Sequence, residues 1–275
     1  LDGITTIFES ARTGNSLSSI VQIPDMEITF TCEESLNGLY SDYRANGLSK
    51  QTPVTPVFAP RTLEGREIIT WTQTWKMPFK VMNFLYLSNP KTRFYFIIDE
   101  EYIELYDTIN ETFSSNIKSK LYTLQGINSN PGLLGDLNDD TTVVVIIQEN
   151  TGVPQEVREQ TTDFRRDVVI VNLIPSDSTP EGQLFGSVEY YEKNGIDIRK
   201  SFLGDSVESA YFGLPSLYAA VFSDNADYYE CSMNKAAKRL QRVACIQKLR
   251  YQSIVSSYEG NLGCQNAFYS AIDSL

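Results

Sequence analysis

The hydrophobic rhythm of the chain changes near residue 90. Before it, in residues 26–32, apolar and polar positions alternate, with Met26, Ile28, Phe30 and Cys32 on one side, the period-two pattern of a half-buried strand. Residues 66–77 and 80–87 read as two more strands, because Ile69, Trp71, Thr72, Thr74 and Trp75 have high β propensity and Met77, Pro78 and Phe79 supply a break between them. Residues 37–60 are rich in Gly, Pro, Ser and Asn, are cut by Pro53, Pro56 and Pro60, and are expected to be loop. A weak helical spacing at Ile7, Ala11 and Leu17, broken by Gly14, leads into this part.

After it, strands and helices alternate. Residues 93–98 form an apolar strand, followed by Asp99 as a helix N-cap and by Glu100 and Glu101 where the helix dipole favours negative charge. Tyr102, Leu105, Tyr106, Ile109 and Phe113 recur at helical spacing and predict a helix over residues 100–121. Beyond a polar connection at 126–140, residues 141–148 are a continuous β-branched run, the mark of a strand buried on both faces. A short helix at 154–164, a second buried-strand run at 167–174 and a fourth strand at 184–192 follow. The final third reads as helical, at 207–222 (interrupted by Gly213 and Pro215), 224–257 and 265–274. This order predicts an α/β fold, with α+β as the alternative: a mixed, partly parallel sheet with packed helices. Residues 1–90 form a β-rich segment packed on an α/β domain of residues 91–275 with C-terminal helices.

In the long helix, Met233, Ala236, Ala237, Leu240, Val243 and Ala244 make an apolar stripe, with Lys235, Lys238, Arg239 and Arg242 on the other side. Charge makes that basic face informative. With 23 basic and 35 acidic residues the chain carries a net charge of -12, which repels phosphate backbones, argues against nucleic acid, and disfavours docking on anionic lipid. A basic helix face on such a protein is a candidate docking surface for an acidic protein partner. Hydrophobic residues make up 41% of the 275, enough to bury a sizeable core as one large domain or two modest ones. No apolar run approaches the roughly 20 residues of a membrane span. The chain begins at Leu1 without an initiator methionine, which raises the expectation of a signal peptide or anchor upstream, and membrane attachment is expected only through such a segment.

Candidate chemistry is sparse. The chain has no histidine, which removes Ser-His-Asp and Cys-His catalysis and most zinc and haem sites, and neither phosphate-cradling glycine motif nor G-x-S-x-G is present. Ser232 and Lys235 spell S-x-x-K, and Ser223, Asp224 and Asn225 spell S-D-N, but in the reverse of the acyl-enzyme order and without K-T-G. Ser223 or Asp224 reads better as the cap of the long helix, and Lys235 as a solvated helix residue. Asp136, Asn138 and Asp140 resemble the first half of a calcium loop but lack its central glycine and closing glutamate. Asp99, Glu149 and Asp177 each stand just past the end of an apolar strand. In an open parallel sheet ligands bind outside the carboxyl ends of the strands, so these three are the candidate catalytic set, able to hold a divalent cation or to divide acid and base roles. No other cofactor is expected. Asn110 to Thr112 form a glycosylation sequon inside the predicted helix.

The four cysteines, Cys32, Cys231, Cys245 and Cys264, contain no C-x-x-C pair, so zinc is not expected. They fit two disulfides outside the cytosol or free thiols inside it. The unusual start and the many Tyr, Asn, Ser and Thr residues favour the first. Gly260 and Gly263 let the chain turn back so that Cys264 meets Cys245, leaving Cys231 for Cys32, though sequence leaves all three pairings open.

Residues 228–240 (YYECSMNKAAKRL), the later Cys264 and the stretch from Trp71 to Leu87 resemble a group of uncharacterised archaeal proteins with an N-terminal membrane anchor and one extracytoplasmic domain. The resemblance implies a cell-envelope location and an anchor before Leu1, and it implies no activity. The expected function is accordingly an extracytoplasmic envelope structural or interaction module. The alternatives are a small-ligand binding domain, or a metal-dependent hydrolase or transferase using Asp99, Glu149 and Asp177.

Overall fold

The computed structural model describes residues 18–35, 38–51, 55–129, 141–162, 168–194, 197–200 and 209–257, together with 6, 7 and 9. The chain forms two mixed β-sheets with helices between and around them, an α/β architecture. The first sheet has six strands, β1 (Ser18–Ser35), β2 (Gly38–Ala45), β3 (Leu48–Gln51), β4 (Val57–Phe58), β5 (Thr62–Lys76) and β6 (Lys80–Ser88), in the order β3-β2-β1-β5-β6-β4. All its pairings are antiparallel except that of β4 with β6. The alternation expected at residues 26–32 is there, with Ile28 and Phe30 buried, but the strand is longer than its patterned part.

The described residues between 37 and 60 are largely strand rather than loop. They form β2, β3 and β4, and Asn46 and Gly47 make the two-residue turn between Ala45 and Leu48, both at positive φ (52° and 76°). A type I′ hairpin needs that geometry, and Asn-Gly is the dipeptide that adopts it most readily. Pro56 and Pro60 lie outside the hairpin.

The second sheet has seven strands: β7 (Thr92–Ile98), β8 (Lys118–Thr123), β9 (Thr141–Ile147), β10 (Val168–Pro175), β11 (Phe185–Asn194), β12 (Asp197–Lys200) and β13 (Ser209–Phe212). Strands β8, β7, β9 and β10 lie side by side and parallel, and antiparallel β11 then carries β12 and β13 on its far edge. Helix α1 (Ile103–Thr112) joins β7 to β8, α2 (Leu124–Ser129) follows β8, and α3 (Gln155–Thr162) joins β9 to β10. The helix predicted to reach residue 121 therefore stops at Thr112. Phe113 turns to extended backbone (ψ 140°), its ring enters the core against Trp71, Phe94 and Phe96, and the lysine-bearing β8 pairs at the sheet edge. Burial of one large ring thus overrides the helical spacing upstream.

Buried runs behave as a period of two demands. Phe94, Phe96, Ile98, Val145, Ile147, Val171 and Leu173 face the core shared with the first sheet. Tyr95, Ile97, Val144, Ile146 and Ile170 face the other way, onto Ile127 of α2 and Val157 of α3. Between the sheets lies α4 (Gly213–Phe222), buried from Ser216 to Phe222 on every side, as a helix apolar all round must be. The stretch expected to be helix from 207 is strand β13 first, and Gly213 (φ 77°) makes the bend into α4. Pro215 is tolerated because it stands in the first turn, where no amide is needed for the helical ladder. Phenol groups complete this helix: Tyr86 donates to the Pro215 carbonyl (2.8 Å), Tyr190 to Ala220 (3.1 Å) and Tyr229 to Ala210 just before it (2.7 Å). Burial pushes all three phenols well above their ordinary range, so they remain protonated donors.

The last described element is α5 (Ala226–Ser257), 32 residues long. Asn225, not Ser223 or Asp224, caps it, its Oδ1 accepting from the Tyr228 amide at 2.8 Å. Tyr228 packs on Phe30 and joins the core on the outer face of the first sheet. One turn later Cys231 forms a disulfide with Cys32 of β1, one of the pairings that the sequence left open. Among the described residues no helix is long and apolar enough to cross a membrane.

Candidate functional site

Strands β7, β9 and β10 are parallel neighbours with β9 in the middle, so Asp99, Glu149 and Asp177 do fall along one edge of the sheet. Two of their carboxylates are engaged by local turns. Asp99 Oδ1 accepts from the Glu100 amide at 2.7 Å and caps a single 3-10 turn, Glu100–Tyr102. Asp177 Oδ1 accepts from the amide and the hydroxyl of Thr179, which holds this exposed carboxyl below its usual range. The turn is closed so tightly that a Cβ on Gly182 would lie 1.8 Å from Asp177 Oδ1. Glu149 is exposed in the turn after β9. Among the described residues no three His, Cys, Asp or Glu side chains gather as a metal-holding group. Asp136, Asn138 and Asp140 lie outside the described residues, as does Cys264.

Behind the same edge stands a carboxylate that the sequence reading missed. Glu189 of β11, 4% exposed, is the cross-strand partner of Asn172 in β10. Its Oε2 accepts from the Gly152 amide (2.8 Å), Asn172 Nδ2 (3.1 Å) and the Tyr191 phenol (2.8 Å). Three donors on one oxygen satisfy a buried carboxyl group and fasten the turn after β9 to the sheet. Gln148 adds bonds to the carbonyls of Asn150 and Gly152. The available signal was Asn172 itself, one polar residue inside a run of Val, Ile and Leu.

At the opposite, amino-terminal ends of the parallel strands a cleft of about 780 Å³ opens between the two sheets. Its walls include Phe94, Val143 and Phe222, and its rim includes Glu64, Glu192 and Asp224. Asp224 stands just before α5 and accepts from the Arg61 amide (2.8 Å) and from Asn225 Nδ2 (2.9 Å). Burial, with a smaller push from Glu192, still raises its pKa to about 6.

The S-x-x-K pair has no nucleophile to offer. Ser232 is fully buried and donates to the Val57 carbonyl at 2.8 Å, so α5 is pinned onto β4 by the hydroxyl that an acyl-enzyme would need free. Lys235, expected on a solvated face, is half-buried, and burial lowers its pKa to about 8 against the opposing pull of Asp42. The solvated basic face begins beyond it. Among the described residues none from 241 to 253 is buried, and Ile246 (47% exposed) and Leu249 (59%) stand on this outer stretch with exposed Cys245, Arg242, Lys248 and Arg250. After Glu230 the helix carries no acidic residue at all.

Comparison with protein-family models, with curated proteins and with solved structures finds nothing that matches this chain. The geometry therefore defines the class on its own terms: a disulfide-braced α/β protein of two sheets, with an inter-sheet cleft and an outlying basic helix.

Proposed function

We propose that this chain is an extracytoplasmic interaction module that holds an acidic protein partner on the outer half of α5. The observation that carries the reading is that stretch: Lys238, Arg239, Arg242 and Arg250 are exposed beside Ile246 and Leu249, on a chain whose net charge is -12. Opposite charge steers an acidic surface to the helix, and the exposed aliphatic side chains supply apolar area to bury once it has arrived. The Cys32–Cys231 disulfide supports an oxidising compartment, because such bonds persist outside the cytosol. A place in the cell envelope is the further step that the resemblance in residues 228–240 adds.

The test uses the whole protein with poly-L-glutamate as the acidic polypeptide, and phosphatidylglycerol vesicles and duplex DNA as competing polyanions. Wild type is expected to bind poly-L-glutamate with an affinity that falls steeply with salt. A variant with Lys238→Glu, Arg239→Glu, Arg242→Glu and Arg250→Glu is expected to bind at least about tenfold more weakly. Equal binding by the variant, or preference for vesicles or DNA over the polypeptide, would overturn the reading.

A further inference from the structure

The carboxyl end of the parallel strands carries an apolar surface left in solvent. Phe185 opens β11 and Phe212 closes β13; they are cross-strand partners, their rings are 6.4 Å apart, and they are 40% and 41% exposed. Ile103, also exposed, stands at the start of α1 at the same end. Buried Gln183 ties these places into one surface. Its Nε2 donates to the Ser178 carbonyl (2.8 Å) and reaches the Glu101 carbonyl (3.5 Å), and its own carbonyl accepts from the phenol of Tyr211, the neighbour of Phe212 (3.3 Å). The loops of this surface carry acids: Asp99, Glu100 and Glu101 follow β7, Glu149 follows β9, and Asp177 and Glu181 follow β10, all of them exposed. Against these among the described residues stand Arg158 in α3 and, in the turn from β5 to β6, Lys76 and Lys80, brought near by the bond from Trp75 Nε1 to the Phe212 carbonyl (3.2 Å). Acids therefore outnumber bases around the aromatic pair. Aromatic side chains inside a polar rim are the composition of a protein-contact surface.

The outer half of α5 has the complementary pattern. Arg239, Arg242, Ile246, Leu249 and Arg250 are exposed and fall at i, i+3, i+7, i+10 and i+11, a single stripe in which cations flank two aliphatic side chains. At a rise of about 1.5 Å per residue the stripe is about 17 Å long. The carboxyl edge from β7 through β9, β10 and β11 to β13 covers four strand spacings, about 19 Å. We infer that the acidic partner of α5 is a second copy of this chain, the stripe of one copy lying along the carboxyl edge of the other with Ile246 and Leu249 on Phe185 and Phe212. The inference rests on the partner reading above and names that partner. At about 0.15 M salt charges act over about 8 Å, so the stripe feels the acids it faces rather than the net charge of -12 on the other copy. The two surfaces differ, so one contact leaves a helix free on one copy and an edge free on the other. Association then either closes as a reciprocal pair or continues as a chain.

Sedimentation velocity of the whole protein at about 0.15 M salt tests the inference, with far-UV circular dichroism to check the fold of each variant. Wild type is expected to sediment as pairs or longer species by about 100 µM. Two edge variants, Phe185→Ser with Phe212→Ser, and Glu100→Gln with Glu101→Gln and Glu181→Gln, are each expected to associate at least about tenfold more weakly. The three glutamates are exposed, so the second variant decides the matter if the first alters folding. The charge-reversed α5 variant is expected to be equally weakened. Mixing it with the phenylalanine variant joins an intact edge to an intact helix, so two chains that stay single alone are expected to form one-to-one pairs and nothing longer. Wild type that remains single up to about 100 µM, association unchanged in both edge variants, or a mixture that stays single would each overturn the inference. Both edge variants keep the helix and are expected to bind poly-L-glutamate no more weakly than wild type. Wild type that binds poly-L-glutamate yet never self-associates overturns this inference and leaves the partner reading standing, whereas loss of both overturns both.

Discussion

Removing the Cys32–Cys231 disulfide probes the brace between the first sheet and α5 directly. The bond closes a loop across a sequence separation of 199 residues. In the chain-entropy relation a loop of that length restricts the unfolded chain by about 18 cal/mol/K, or about 5 kcal/mol at 25 °C. Native-disulfide deletions generally cost about 2–5 kcal/mol, so that figure is the upper end. For a protein of this size each kcal/mol moves the melting temperature by about 2–4 °C, which places the expected drop at about 5–15 °C. The perturbation is made twice, by Cys32→Ala with Cys231→Ala and by reducing the wild-type protein, because Cys231 is fully buried and Ala adds a small cavity that reduction does not. Urea midpoints and thermal melts by far-UV circular dichroism are read for both. Cys245→Ala, at an exposed position, is expected to melt with the wild type. If the double variant and the reduced protein both melt within about 2 °C of the oxidised protein, the brace carries none of the stability assigned to it.

Four further outcomes follow from particular positions. Gly186→Ala places a Cβ 2.1 Å from the Ile174 carbonyl oxygen across β10 and β11, so urea denaturation is expected to show a loss above about 2 kcal/mol. Gly47→Ala meets nothing within 4 Å at φ 76°, and about 1 kcal/mol is expected; the reverse order of costs would contradict the packing described. Trp71→Ala empties the point where Tyr86, Phe113, Tyr218 and Phe222 meet, and about 3–5 kcal/mol is expected by the same measurement. Asp224 titrates at about 6 in the folded protein and near 3.9 unfolded. Between those values the folded state holds a proton that the unfolded chain has released, so this group's stabilisation is complete below about pH 4 and is lost as the pH rises through 6. With solvent screening at a half-buried carboxyl the effect is on the order of 1–2 kcal/mol. Asp224→Asn is expected to flatten that part of the stability–pH curve, and an unchanged slope between pH 4 and 6 would refute the assignment.

Some of this could be read from residue order, and some could not. β9 and β10 were legible because Val and Ile in unbroken succession suit only a strand covered on both faces. The edge on which Asp99, Glu149 and Asp177 fall was legible for the same reason, since strand ends follow from strand runs. Side-chain direction was not: whether a carboxylate turns to its own amides or to a shared ion depends on local turns, and here Thr179 and Glu100 claim two of the three. β8 was hidden because Tyr102 to Phe113 keep helical time up to a turn made by Ser114, Ser115 and Asn116, and its exposed Lys118 and Lys120 suit an edge strand as well as a helix. The Asn46-Gly47 hairpin was spelled out and was outweighed by nearby prolines. Nothing in the order of residues announces the cleft, because Arg61, Glu192 and Asp224 come from distant segments of the chain, in or beside two different sheets and a helix start.

The position of the disulfide also sets how the molecule bears load. Cys32 lies in the first strand and Cys231 near the beginning of the last described helix, so tension between the two ends of the chain passes through the sulfur–sulfur bond. Everything between those residues, including the whole second sheet, lies in a covalent loop that the bond short-circuits. Stretching extends only the chain before residue 32 and after residue 231. Load applied between β1 and α5 would therefore shear β1 from β5 and unwind α5 while the covalent loop between the two cysteines stayed closed.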